Sequence, residues 1–173
     1  NDGINSNLTY TAGLVGQTGV FNGSTSKVTI GTPSNLSFPL IPFSISLLVK
    51  FDTLKDQWLI GKRNDTLVRT EYQIAYFSGD LYFNLFTGNS NRIGKVVSFT
   101  PTLGDWYHIT VTSDGGIIAS GTNLYIDAVS VGSPSILGTY TGMIETTSVL
   151  YIGSVGYNSS FYVDGDMLVD DID

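Results

Sequence analysis

Leu81-Tyr82-Phe83-Asn84-Leu85-Phe86 carries the reading of the fold. Leu81, Phe83 and Leu85 fall on one side of an extended chain, and Tyr82, Asn84 and Phe86 on the other. Upstream, Tyr72-Gln73-Ile74-Ala75-Tyr76-Phe77 alternates in the same way, and Ser78-Gly79-Asp80 lies between the two runs. Two alternating runs joined by a short link containing glycine predict an antiparallel hairpin.

The same two-residue period recurs outward from this hairpin. Phe43–Phe51, Trp58–Lys62, Trp106–Thr112, Asn123–Asp127, Val149–Gly153 and Met167–Val169 all read as strands. Tyr107, Ile109 and Val111 share a face, and His108 falls on the outward phase. Val20-Phe21 and Lys27–Ile30 flank Asn22-Gly23, a turn dipeptide. Thr32 to Pro42 reads as an irregular crossing. Helical periodicity is nearly absent, and glutamate occurs only at Glu71 and Glu145. About a dozen short strands separated by Gly, Asp, Asn, Ser and Pro predict an all-β, two-sheet antiparallel jelly-roll sandwich, expected to be a single domain over residues 1–173.

Composition narrows the function. The 173 residues include 8 Lys+Arg against 15 Asp+Glu, for a net charge of -7, and 42% are hydrophobic. Disordered chains combine low hydrophobicity with high charge, so this chain is expected to fold. Eight scattered basic residues make no phosphate-binding surface, so no nucleic acid partner is expected. The absence of cysteine excludes disulfides, thiolate metal sites and a cysteine nucleophile. No apolar run approaches the ~18 residues that cross a bilayer, so no membrane insertion is expected. The first residue is Asn1, and the expectation is a domain excised from a larger protein whose neighbouring domains are partners.

In order and spacing the motifs resemble the laminin-G-like domains of the concanavalin A-like jelly-roll superfamily. The segments are Val20–Ser24, Phe43–Lys50, Gln57–Lys62, the Tyr72–Phe86 hairpin, Gly104–Thr112, Leu124–Val129, Leu150–Ser154 and Val169–Ile172. Ala128 stands where the family has a glycine after Ile-Asp. The resemblance implies a non-catalytic, secreted or cell-surface module that binds glycan or protein, and in some members a structural calcium ion. That ion often joins an N-terminal turn to an Asp near the last strand. Here Asn22, Gly23, Asp170 and Asp171 are the corresponding candidates, with Asp164 and Asp166 in the same acidic stretch. Hard cations want several oxygens, which carboxylates and loop carbonyls supply.

Catalytic patterns are missing. Glucanases on this fold carry Glu-x-Asp-x-x-Glu, and neither Glu71 nor Glu145 has that context. Glycoside hydrolysis needs two carboxylates flanking the scissile bond. His108 is the one histidine, and no Gly-x-Ser-x-Gly elbow accompanies it. Binding is better served. If Leu81, Phe83 and Leu85 are core, Tyr82, Asn84 and Phe86 face outward, and Gln73 and Phe77 join them by phase. His108 and Tyr125 are outward on their own strands. Rings interleaved with amides and hydroxyls suit sugars, whose C–H faces stack and whose hydroxyls pair. Tyr157, on the Gly/Ser loop 155–162, is a further candidate. Trp58 and Trp106 are expected in the core. Five Asn-x-Ser/Thr sequons stand at Asn7, Asn22, Asn35, Asn64 and Asn158. The expected role is a carbohydrate-binding or adhesion module that meets a glycan or cell-surface receptor, outside the cell or on a virion surface. The competing expectation is a structural or interaction domain of a viral fibre, tail or surface assembly.

Overall fold

A computed structural model describes residues 3–64, 69–88, 90–144, 147–154 and 166–172. Two antiparallel sheets face each other. The eight-stranded sheet runs β1 (Ile4–Ser6), β4 (Lys27–Ile30), β14 (Val149–Ile152), β6 (Gln57–Asn64), β7 (Arg69–Phe77), β8 (Asp80–Thr87), β9 (Asn91–Ser98) and β13 (Ser133–Leu137). The seven-stranded sheet runs β12 (Val129–Val131), β11 (Thr122–Ile126), β10 (Trp106–Ser113), β5 (Phe43–Phe51), β15 (Asp166–Ile172), β3 (Gln17–Asn22) and β2 (Thr9–Ala12). This is the two-sheet jelly-roll sandwich that the alternation predicts.

The hairpin forms as read. Tyr72 pairs with Leu85, Ile74 with Phe83 and Tyr76 with Leu81, and all six are buried between the sheets. Ser78 and Gly79 take φ of 52° and 86°, the two positive values a two-residue turn requires. Asp56 Oδ1 accepts the Ser78 N–H at 2.8 Å and fixes that turn. Across the core, β5 contributes Ile45, Leu47, Val49 and Phe51, and β10 contributes Ile109 and Val111. The central strands β5 and β10 each bury one phase of their alternation, and such burial is the main stabilising term of the sandwich.

Asn22-Gly23 turns the chain, and because β3 and β4 belong to different sheets the turn is a corner between them. Asn22 Oδ1 accepts the backbone N–H groups of Ser24, Thr25 and Ser26 at 2.9–3.1 Å, and Gly23 takes φ of 67°. Trp58 is buried, but on the outside of its sheet against Ala75 and Phe77. A register shift between Trp58 and Ile60 places Leu59 and Ile60 both in the core and rotates the indole outward. Trp106 is half-buried on the outer face of the seven-stranded sheet, with Lys50 Nζ 5.6 Å from its ring centroid.

The crossing from β4 to β5 contains one 3-10 turn, Ser34–Leu36. It is fastened by a buried ion pair. Lys62 Nζ lies 3.2 Å from Glu71 Oε2, both side chains are fully enclosed, and Lys62 also donates to Ser37 Oγ. Ser37 Oγ in turn donates to Glu71 Oε2 at 2.8 Å. Two charges removed from water need such mutual pairing and an added hydrogen bond.

Candidate functional site

The predicted binding residues divide between two opposite outer faces, one per sheet. On the eight-stranded sheet, Gln73 sits opposite Asn84 across the hairpin, and Phe86 opposite Arg92. Asn84 and Phe86 retain 2% and 8% of their exposure, while Gln73, Phe77 and Tyr82 are half-buried. The Tyr82 hydroxyl donates to Asp80 Oδ2 at 3.3 Å, and burial followed by the Asp80 charge raises its pKa. Neighbouring side chains crowd this face. The Trp58 ring lies over Gly61, where a Cβ would come within 2.5 Å of it, and Tyr151 is buried alongside.

The seven-stranded sheet presents an open face. His108 pairs with Leu48, and Thr110 pairs with both Ser46 and Tyr125. Thr112 pairs with Ser44 and Asn123. His108 is exposed, and Ser46, Thr110, Thr112, Asn123 and Tyr125 are half-buried. Nε2 of His108 is 2.7 Å from Ser46 Oγ and 3.4 Å from Thr110 Oγ1. Asn123 Nδ2 donates to Thr112 Oγ1 at 3.1 Å. The resulting surface holds an imidazole, a phenol, hydroxyls and an amide on a flat, ladder-braced support. Ser46, Thr112 and Asn123 were not singled out from the sequence, whereas Thr110 falls on the outward phase with His108. Their signal is the same outward phase on adjacent strands, which needs the pairing order to be recognised.

A serine next to a histidine raises the question of nucleophilic catalysis. The triad logic requires an acid on the other ring nitrogen. Asp127, the nearest carboxylate along the register, instead accepts the backbone N–H of His108 at 2.8 Å. Ser46 lies in the middle of β5, which is paired on both sides by β10 and β15. Its neighbouring amides serve those ladders and do not converge on an oxyanion. Glu71 is committed to Lys62 and Ser37.

The cation candidates are distributed between the corner after β3 and the strand β15. Asn22 pairs with Asp166 across β3 and β15. Asp170 lies four residues further along β15, about 13 Å at the usual rise per residue. The oxygen of Asn22 is already filled by three amides. No three His, Asp or Glu side chains gather among the described residues. The side chains of Asp170 and Asp171, together with Asp164 and Tyr157, lie outside the described residues.

With this geometry in view, known proteins provide the comparison. The sequence pattern of the concanavalin A-like lectin/glucanase superfamily matches residues 22–171. The chain belongs to that superfamily. No curated protein sequence matches this superfamily member. Among solved structures it is similar to the binding domain of botulinum neurotoxin serotype C1, with a TM-score of 0.69 and 16% identity. That match covers 98% of this chain and 43% of the toxin domain. Domain 4 of AbnA, an extracellular arabinanase from Geobacillus stearothermophilus solved with arabinotriose, has a TM-score of 0.55 and 18% identity. It is covered over 75% of its length by 96% of this chain. The type G neurotoxin receptor binding domain has a TM-score of 0.61 and 14% identity, over 98% of this chain and 41% of that one. The chain thus spans less than half of the toxin binding domains it matches. At these identities the likeness is one of fold. No helix among the described residues is long and apolar enough to cross a membrane.

Proposed function

We propose that this superfamily member is a non-catalytic carbohydrate-binding module of an extracellular protein, and that it takes a neutral oligosaccharide on the open face of the seven-stranded sheet. The observation that carries the reading is the exposed His108 ring, held by the Ser46 and Thr110 hydroxyls. Tyr125 lies one strand away on the same face. A sugar needs an apolar surface for its C–H face and several donors and acceptors at fixed spacing. The relatives support the class: one was solved with arabinotriose, and others are receptor binding domains. A ligand of this class would be neutral, since Lys50 on this face is occupied over Trp106 and the chain carries -7 overall. The test is a glycan array followed by calorimetry on wild type, Tyr125→Ala and His108→Ala. Binding lost in both variants, with unchanged melting, supports the reading. An empty array, or binding indifferent to both substitutions, overturns it.

A second reading, a structural or interaction domain of a fibre or surface assembly, is favoured by a different observation. Leu40, Ile41, Ile117 and Ile118 are each about half exposed or more. The loop carrying the latter two packs on Ile41, where a Cβ at Gly115 would come 2.7 Å from its carbonyl carbon. Exposed apolar side chains gathered at one end suit a protein contact. Light scattering that shows self-association lost in Ile118→Asp would favour this reading.

A further inference from the structure

A cavity of about 280 Å³ opens between the sheets beneath the β4–β5 crossing. Ile45, Ile60, Tyr72, Leu150 and Ile152 form its buried floor. Half-buried Ile30, Leu36 and Phe38 and exposed Ser44 form its rim. Close-packed interiors hold few voids larger than a water molecule, and an empty apolar void costs stability in proportion to its volume. Ordered water is a poor occupant, because it needs two to four polar partners. The hydroxyl of Tyr72 is already donated to the Leu36 carbonyl at 3.2 Å, and the remaining floor is aliphatic. The one other polar residue of the lining, Ser44, turns its side chain to the outer face of its sheet by the alternation of β5.

The outer wall is a strap, not a strand. Residues 33–38 make no ladder with either sheet. Ser37 is tied to the Lys62–Glu71 pair, and Leu36 to Tyr72. Phe38 stacks on Phe43 at 4.3 Å beside them. An apolar pocket of this size, walled by a segment outside both ladders, has the character of a small-ligand site.

We propose that this cavity binds an alkyl chain between Ile45, Ile60 and Leu150, with the neutral polar group of the ligand at the open side of the pocket. The aliphatic floor selects a hydrocarbon tail. The site lies between the sheets and is separate from the outer face assigned to sugar, so either can fail without the other.

The test is a titration of the whole chain with n-alkanols of increasing length, read by methyl NMR and thermal melting. The expected result is saturable shifts confined to the methyls of Ile45, Ile60, Leu150 and Ile152. Affinity should rise severalfold per added pair of methylenes until the cavity is full, then level off. Ile45→Phe and Leu150→Phe each fill the void, and whichever folds should lose these shifts while retaining its glycan response. Methyl shifts that are absent in wild type up to the solubility limit, or that persist in a filled variant, overturn the proposal.

Discussion

Asp127 and His108 hold each other by their backbones: the Asp127 N–H donates to the His108 carbonyl, and Asp127 Oδ1 accepts the His108 N–H, both at 2.8 Å. The carboxylate is thereby spent on the end of the β10–β11 ladder, and the imidazole turns to Ser46 and Thr110. On the proposed sugar face, a histidine oriented by hydroxyls would serve as a hydrogen-bonding group for the ligand. Asp127→Asn keeps an acceptor at Oδ1, so glycan affinity should change less than about threefold, under 1 kcal/mol. Tyr125→Ala should cost about tenfold or more in affinity, the range of an aromatic anchor. Parallel calorimetry on the two variants checks both.

The turn after β11 is strained. Asp127 and Ala128 take φ of 50° and 64°, a region that costs a residue with a Cβ about 1–2 kcal/mol. Ala128→Gly removes that cost but adds freedom to the unfolded chain. The net expectation is a gain of about 0.5–1 kcal/mol, measured by urea unfolding with an unchanged m-value.

Breaking the Lys62–Glu71 pair should be expensive on one side only. Lys62→Met leaves Glu71 enclosed without its cation and should cost about 3–5 kcal/mol. Replacing both by apolar residues of similar volume should recover much of that loss. Unfolding of the two singles and the double gives the coupling directly.

The corner at Asn22 should depend on its amide acceptor and not on calcium. Asn22→Ala frees three N–H groups at once and should cost about 1–2 kcal/mol, comparable to losing a strong helix cap. That loss should be equal in calcium and in chelator. A loss seen only with calcium would restore the cation to this turn.

Alkaline pH should destabilise the fold. Burial pushes the Tyr140 hydroxyl up to about 12, opposed by a hydrogen bond at the Met143 backbone. Tyr72 is raised further, by burial first and the Glu71 carboxylate second. The unfolded value is near 10. A folded pKa above the unfolded one means that the native state binds more protons over that interval. Stability is therefore complete below about pH 10 and falls as pH rises towards 12. Urea midpoints from pH 8.5 to 11.5 should show the decline, and Tyr140→Phe should make it shallower.

Much of this architecture can be read locally. The period-two runs give β5, β7, β8 and β10 close to their observed limits, and the inward sets Leu81, Phe83, Leu85 and Ile109, Val111 are core. β9 is harder to see, since Arg92, Gly94 and Lys95 interrupt its alternation. Trp58 misleads because the bulge beside it reverses its phase, and no residue type announces a bulge. The Ser37–Lys62–Glu71 cluster is invisible in sequence, because its members come from a crossing and two strands that meet only after folding.

Alternation is a property of neighbouring residues, so the chain alone indicates the inward set of the regular runs and a sandwich of such strands, but not the phase beside a bulge. It does not fix which sheet a strand joins, because that choice rests on pairing between distant segments. Folding made that assignment. It placed Asn84 and Phe86 on a crowded face and His108 and Tyr125 on an open one, and it left an alkyl-lined space under the strap.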